Sequence, residues 1–373
     1  MNNFDAGFSF FLFYFGVVAF SLFYSAFGTM TNKRRKYYLF VVFSVFWFIM
    51  AFRSVSMGND TVTYYNGYQS IAEVANPFAF MKQSSLEDGY ILYVWLLSQI
   101  SSNPQLLFVV TSAIICTSVG QFADKYVGNL GIFCCLFVGM LHFDFLLSAV
   151  RQGLAIAFLL WAFSSLYEKR KVRFVLLGIT ACLFHNSSVI FLVIAMLIMF
   201  FKSTKLHNVY FTSMMFIVAY VCGMFLDQVL QFGLTLFPRY AYYLNGQTMN
   251  GEPRLAVILK ILVAALLLWT PSIGRRTSPV TDRIDRVGYS FSIVNIVILL
   301  ISIGTPILTR LSAPFSVFVI GHYANQVHRL RGRQGLCLIL LTILAFFLYG
   351  LVIVVLKTPE WQTTYPINFS WSL

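Results

Sequence analysis

Charge is scarce in this chain. Only 10% of its 373 residues are Asp, Glu, Lys or Arg, against 59% hydrophobic and 18% aromatic. A water-soluble fold cannot hide that much apolar surface, and runs close to the ~20 residues that cross a bilayer as a helix recur along its length. Also missing are a P-loop, a GxSxG elbow, an HExxH pair and a Gly-rich dinucleotide turn, which argues against a nucleotide-driven reaction. The six cysteines, Cys116, Cys134, Cys135, Cys182, Cys222 and Cys337, all fall in apolar runs without CxxC or Cys/His spacing. No metal, redox role or cofactor is therefore expected. A cleavable leader is lacking too: the first apolar run, Gly7 to Phe27, has no basic segment before it and ends in TNKRRK, so it reads as a retained span.

What is present is a formal charge of +13 with a marked distribution. Six short loops (31–36, 123–129, 168–173, 202–207, 274–286 and 328–333) hold 18 of the 26 Lys and Arg but only 4 of the 13 acidic residues. That pattern follows the positive-inside rule rather than a nucleic-acid footprint, and no nucleic-acid partner is expected. Placing those loops on the cytoplasmic side forces two choices. The apolar run near 88–101 is too short to span and becomes a re-entrant or interfacial helix on the outer face. The run 174–201 becomes two short spans turning at His185–Ser188, with His185 outside. The expectation is an all-α integral membrane protein, a single polytopic domain over 1–373 with about twelve spans. They lie near 7–27, 37–53, 104–122, 130–147, 149–167, 172–184, 187–201, 208–226, 255–271, 287–304, 306–326 and 335–356. Both termini lie outside, with outer segments at 53–103 and 227–254.

Four arginines fall on the outer face of this map: Arg53, Arg151, Arg239 and Arg310. Any one alone is equally well explained as snorkelling to headgroups. Four together, where basic residues are otherwise few, point to a shared anion. The planar guanidinium suits phosphate or pyrophosphate better than a lysine does. Ser148 precedes Arg151 by three residues, which predicts that the two share one side of a helix start. Candidate proton acceptors on the same face include Asp60, Glu87, Asp88, His142, Asp144 and His185. A structural reading stands beside each: Glu87 and Asp88 as caps of the short outer helix, His142 and His185 as core histidines bonded to backbone.

Four stretches, in order, carry a resemblance: FRSVSMGNDTVTYY (52–65), EDGYILYVWL (87–96), SAVRQGLAIAF (148–158) and FHNSSVIFL (184–192). RYAYY (239–243) and TRLSAPF (309–315) are weaker echoes. Together they resemble the EpsG family of bacterial polysaccharide proteins, kin of Wzy-type O-antigen and capsule polymerases; Asp88 stands where that family usually has proline. The resemblance implies a GT-C-like membrane glycosyltransferase of the bacterial inner membrane, with its active site facing the periplasm or outside. Its substrate would be an undecaprenyl-pyrophosphate-linked oligosaccharide, drawn from the membrane lipid phase and joined into a repeat-unit polymer. It further implies that Arg53, Arg151, Arg239 and Arg310, with Ser148 and Gln152, hold the pyrophosphate. His185 is first choice as general base, followed by Asp60 and Glu87, and Tyr64, Tyr65 and Tyr90 contact sugar. A chain-length regulator is expected as a partner by resemblance alone. An O-antigen ligase and a lipid-linked oligosaccharide flippase remain alternatives, because the same arginine and histidine logic serves both.

Overall fold

A computed structural model describes residues 3–201, 209–236, 254–268, 279–303, 306–330, 332–358 and 363–370. Among the described residues the chain is helical, and its one β element is an isolated bridge between Arg53 and Phe369. Two compact units form: residues 1–195 with 327–373, and residues 196–326.

The first unit begins with α1 (Asn3–Phe23) and α2 (Asn32–Ala51). Thr31 caps α2 by accepting a bond from the Arg34 amide. Three short helices follow, α3 (Thr61–Ala72), α4 (Pro77–Met81) and α5 (Asp88–Ser98), before the long α6 (Gln105–Tyr126). Then come α7 (Leu130–Gly139), α8 (His142–Ser148), α9 (Val150–Tyr167), α10 (Lys171–Phe184) and α11 (Ser188–Phe201). Every residue of α7 is buried, which puts that helix at the centre of the unit. Around it α1 packs on α7, α2 on α6, α6 on α9, and α9 on α10. In the second unit α12 (Val209–Leu236) and α13 (Arg254–Leu268) pack on α14 (Pro279–Ile301) around Ala264, Leu268, Ile293 and Ile296. A 3₁₀ turn (Pro306–Ser312) leads to α15 (Ala313–Arg329), and the final helix, α16 (Gly332–Lys357), returns to pack on α1.

The protein is membrane-embedded. Five helices, α1, α6, α9, the Arg283–Ile301 part of α14, and α16, are long and apolar enough to cross a bilayer. A sixth arises if α7 and α8, bent by 59° at their junction, count as one span. The described residues thus do not reach the expected twelve, for physical reasons. Four basic residues in its first turns leave α2 short of a full apolar length. The helices α10 and α11 have 14 residues each, about 21 Å at 1.5 Å per residue, against a hydrocarbon core of about 30 Å. The chain does break at His185, and Gly178 lies against Leu192 across that break. At 11 residues, about 16 Å, α5 is likewise too short to cross.

Two glycines bring the site elements together. Gly58 has φ +93°, a conformation that side chains resist, and a Cβ there would sit 2.7 Å from Leu147 and 3.2 Å from the Ser148 hydroxyl. The 52–60 loop can therefore press directly on α8. At Gly89 a Cβ would lie 2.6 Å from the Leu183 Cβ and 2.7 Å from its carbonyl oxygen. The start of α5 thus meets the end of α10, one residue from Phe184 and two from His185. Tyr90, Ile91 and Val94 of α5 complete the contact by burying themselves among Tyr64, Tyr68, Phe108, Val150 and Leu154.

Candidate active site

Glu87 is the hub of the site. It occupies the N-cap position of α5, yet its side chain makes no capping bond. Its carboxylate instead bridges two other helices: Arg151 Nη1 donates to Oε2 at 2.5 Å, and His185 Nδ1 lies 3.1 Å from Oε1. Close approach through Gly89 and the Leu183 backbone puts the carboxylate and the imidazole within this reach. The Glu87 side chain is 10% exposed, while Arg151 and His185 keep 29% and 28%, so the hub is enclosed and its two partners face outward. Burial pushes the Glu87 carboxyl up. The His185 hydrogen bond and the Arg151 charge outweigh it, and the group sits below its usual range.

Arg151 is the second residue of α9 and lies with its Cζ 5.9 Å from the centroid of the Tyr90 ring. It also interacts with the Tyr64 hydroxyl, and burial raises that phenol while the Arg151 charge partly offsets the rise. Tyr64 also interacts electrostatically with Arg53, so one phenol is coupled to two guanidinium groups. Tyr64 and Tyr90 themselves are 6.0 Å apart, ring centre to ring centre.

Arg53 is 2% exposed. Its Nε donates to Thr61 Oγ1 at 3.1 Å and its Nη1 to the Met50 carbonyl at 3.0 Å, while Cζ rests 4.1 Å above the Phe108 ring. Thr61 is locked in turn by its bond to the Met57 carbonyl. Neither Arg53 Nη2 nor Arg151 Nε makes a hydrogen bond among the described residues, although both atoms are buried. An unmet buried donor costs about 1–3 kcal/mol, more when charged. Two arginines coupled to one phenol, each with a donor left unbonded, suit an anion with several oxygens.

The remaining expected site residues divide. Asp60 is the N-cap of α3 without a side-chain capping bond, and its charge acts on Tyr64. Ser148 closes α8 instead of opening α9, because Ala149 leaves helical geometry at φ −91°, ψ 69°; the hydroxyl faces Gly58. The expected pairing of Ser148 and Arg151 on one helix start is corrected accordingly. Gln152 is buried within α9. Tyr64 and Tyr90 are buried in the core, and Tyr65 packs partly buried against it. His142 is also buried, stacked on Phe145 and edge-on to Phe137. Arg310 is exposed in the 3₁₀ turn of the second unit, and Arg239 lies outside the described residues. Sequence reasoning missed Thr61, which was quoted within the first motif without a role, and the segment 363–370, whose aromatic and polar character after the last apolar run was a usable signal.

The model of the EpsG family matches residues 36–369, so the matched region extends beyond the motif-bearing stretch at both ends, and the chain belongs to that family. No curated protein and no solved structure shows a significant match.

Proposed function

We propose that this EpsG-family chain is a polysaccharide repeat-unit polymerase of GT-C-like build, working at the outer face of a bacterial cytoplasmic membrane. The donor is the growing glycan on undecaprenyl pyrophosphate, and the acceptor is a hydroxyl of an incoming lipid-linked repeat unit. The acceptor oxygen bonds to the anomeric carbon as the bond from that carbon to the phosphate oxygen breaks. Undecaprenyl pyrophosphate leaves with the bonding electrons, and the acceptor proton goes to a base. No nucleotide is required, because the donor is already activated.

The observation that carries this reading is the Glu87 bridge between Arg151 and His185, beside the reserved donors of Arg151 and Arg53. With Nδ1–H donating to Glu87, the His185 Nε2 lone pair is left to accept the acceptor proton. Both Glu87 oxygens are engaged, so its role here is to hold the imidazole and the guanidinium, and Asp60 stands second to His185 as base. Arg151 and Arg53 take the pyrophosphate, whose charge grows as the glycosidic bond breaks. Ser148 and Gln152 are assigned secondary phosphate contacts, and Tyr65 is the tyrosine best exposed for sugar. A chain-length regulator is the proposed protein partner.

The test uses purified protein with a chemically defined undecaprenyl-pyrophosphate repeat unit, its products resolved on a gel. A ladder from the wild type, lost in Arg151→Ala, supports polymerisation without nucleotide. A single addition to a supplied lipid-core acceptor would favour a ligase, and transport across liposomes without bond formation a flippase.

A further inference from the structure

The last described stretch, residues 363–370, lies far from the site in sequence and against it in space. It pairs with the loop that follows α2: Ser54 N–H donates to the Asn368 carbonyl at 2.8 Å and Ser370 N–H to the Phe52 carbonyl at 3.0 Å, closing the bridge between Arg53 and Phe369. Five residues on, Gly58 N–H donates to the Thr363 carbonyl at 3.1 Å, and the Thr363 hydroxyl donates to Asn59 Oδ1 at 2.7 Å. The loop carrying Arg53 is thus fastened at both ends by one strap. The middle of the strap reaches elsewhere. Tyr365 is fully buried, 6.4 Å from the Phe13 ring, which itself meets Phe143 of α8 at 5.1 Å. The Asp144 carboxylate of α8 also lies close: after burial, its charge is what holds the Tyr365 phenol well above its usual range. The helix α8 leads through Ala149 into α9 and Arg151.

We infer that the segment 363–370 is a positioning element of the pyrophosphate site: it fixes the Arg53 backbone by strand pairing while its buried Tyr365 packs toward α8, and so sets the spacing of Arg53 and Arg151. This rests on the reading of those arginines as pyrophosphate ligands. The strap touches no reacting atom. It acts through Arg53.

Ser370→Pro removes one strap donor, the N–H given to Phe52, without touching a site residue. The probe is inorganic pyrophosphate, titrated into the full-length purified protein. Ser370→Pro is expected to weaken binding about fivefold, the worth of one backbone hydrogen bond. In the Arg53→Ala background the same substitution should add nothing, because its effect passes through Arg53. Additive losses would overturn the inference, since a general loosening of the fold gives that result. A second readout needs no ligand. Amide hydrogen exchange should be slow at Ser54, whose N–H is given to Asn368, in the wild type and faster in Ser370→Pro. Equal protection in both proteins overturns the strap, whereas failure of the wild type to bind pyrophosphate with exchange as expected overturns the site reading alone. Should Ser370→Pro not fold, Asn59→Cys/Thr363→Cys decides. The pair should form a disulfide on oxidation, with pyrophosphate affinity held within about twofold. Absence of the cross-link, or a binding loss restored by reduction, overturns a strap that is closed in the working protein.

Discussion

The two ends of α2 each present an arginine, and the two are used in opposite ways. At the start, Arg35 spends its donors on the exposed end of α6: Nη2 reaches the carbonyls of Ala123, Asp124 and Val127 at 3.2, 2.7 and 2.9 Å, and Nε pairs with Asp124. Carbonyls at a helix C-terminus lack the full set of intrahelical donors; here Ala123 also accepts the Val127 N–H, and Arg35 serves it together with Asp124 and Val127. Just past the other end, Arg53 is more deeply buried, has no ion-pair partner among the described residues, and keeps Nη2 unbonded. Composition cannot distinguish these two residues; the state of their donors does. A spent guanidinium is a rivet in the fold, and on the proposed reading the donor that Arg53 leaves unbonded is kept for the pyrophosphate.

The largest effect expected from this contrast is on activity. Arg53→Ala should lower polymer formation on the order of 10²–10³-fold, as removal of a preorganised charge-stabilising donor does. Arg35→Ala should leave turnover nearly intact and cost about 1–3 kcal/mol of stability. A folded Arg35→Ala protein without polymer, measured in the same ladder assay, would break the comparison. Next comes His185→Gln, expected to slow the reaction about 10²-fold or more at saturating substrate while leaving pyrophosphate affinity within a few fold. Equal losses in both measurements would move His185 from proton transfer to binding. Gly89→Ala tests the geometry beneath them: its Cβ would meet Leu183, and overpacking of about 1–3 kcal/mol should lower thermal stability and separate Glu87 from His185. The smallest effect concerns pH. Because the folded Glu87 carboxyl lies below its usual value, its stabilising contribution is fully present above the ordinary carboxylate range and is lost as pH falls through the lowered value. The stability difference between wild type and Glu87→Gln should therefore be greatest near neutrality and shrink below about pH 4. A constant difference would mean that the ion pair contributes nothing.

Much of this arrangement was legible beforehand, and unevenly. The break at His185 and the short helix after Glu87 follow from local chemistry, and both recur where the motifs stand. Convergence of Glu87, Arg151 and His185 was legible only as three residues assigned to one face. Their actual bonding depends on Gly89 packing against Leu183, a contact between segments almost a hundred residues apart that no local pattern announces. The count of twelve spans goes beyond the five or six that the described helices support, for a different reason. Alternating basic loops fix parity but not length, and helices of 14 residues satisfy the first without the second. Ser148 was misplaced by a single non-helical residue, Ala149. The strap at 363–370 has no periodicity at all, and its partners lie at the far end of the sequence.

That separation also has a meaning in time. Thr363 and Asn59, which bond to one another, stand 304 positions apart. Translation at ~5–20 residues per second puts roughly 15–60 s between their emergence. During that interval α2 and the loop after it are already made, and the Arg53 backbone has no strand to pair with. The loop that carries Arg53 is consequently among the last parts of the protein to gain its backbone partners, and a chain that stops before residue 363 holds that loop without its strap.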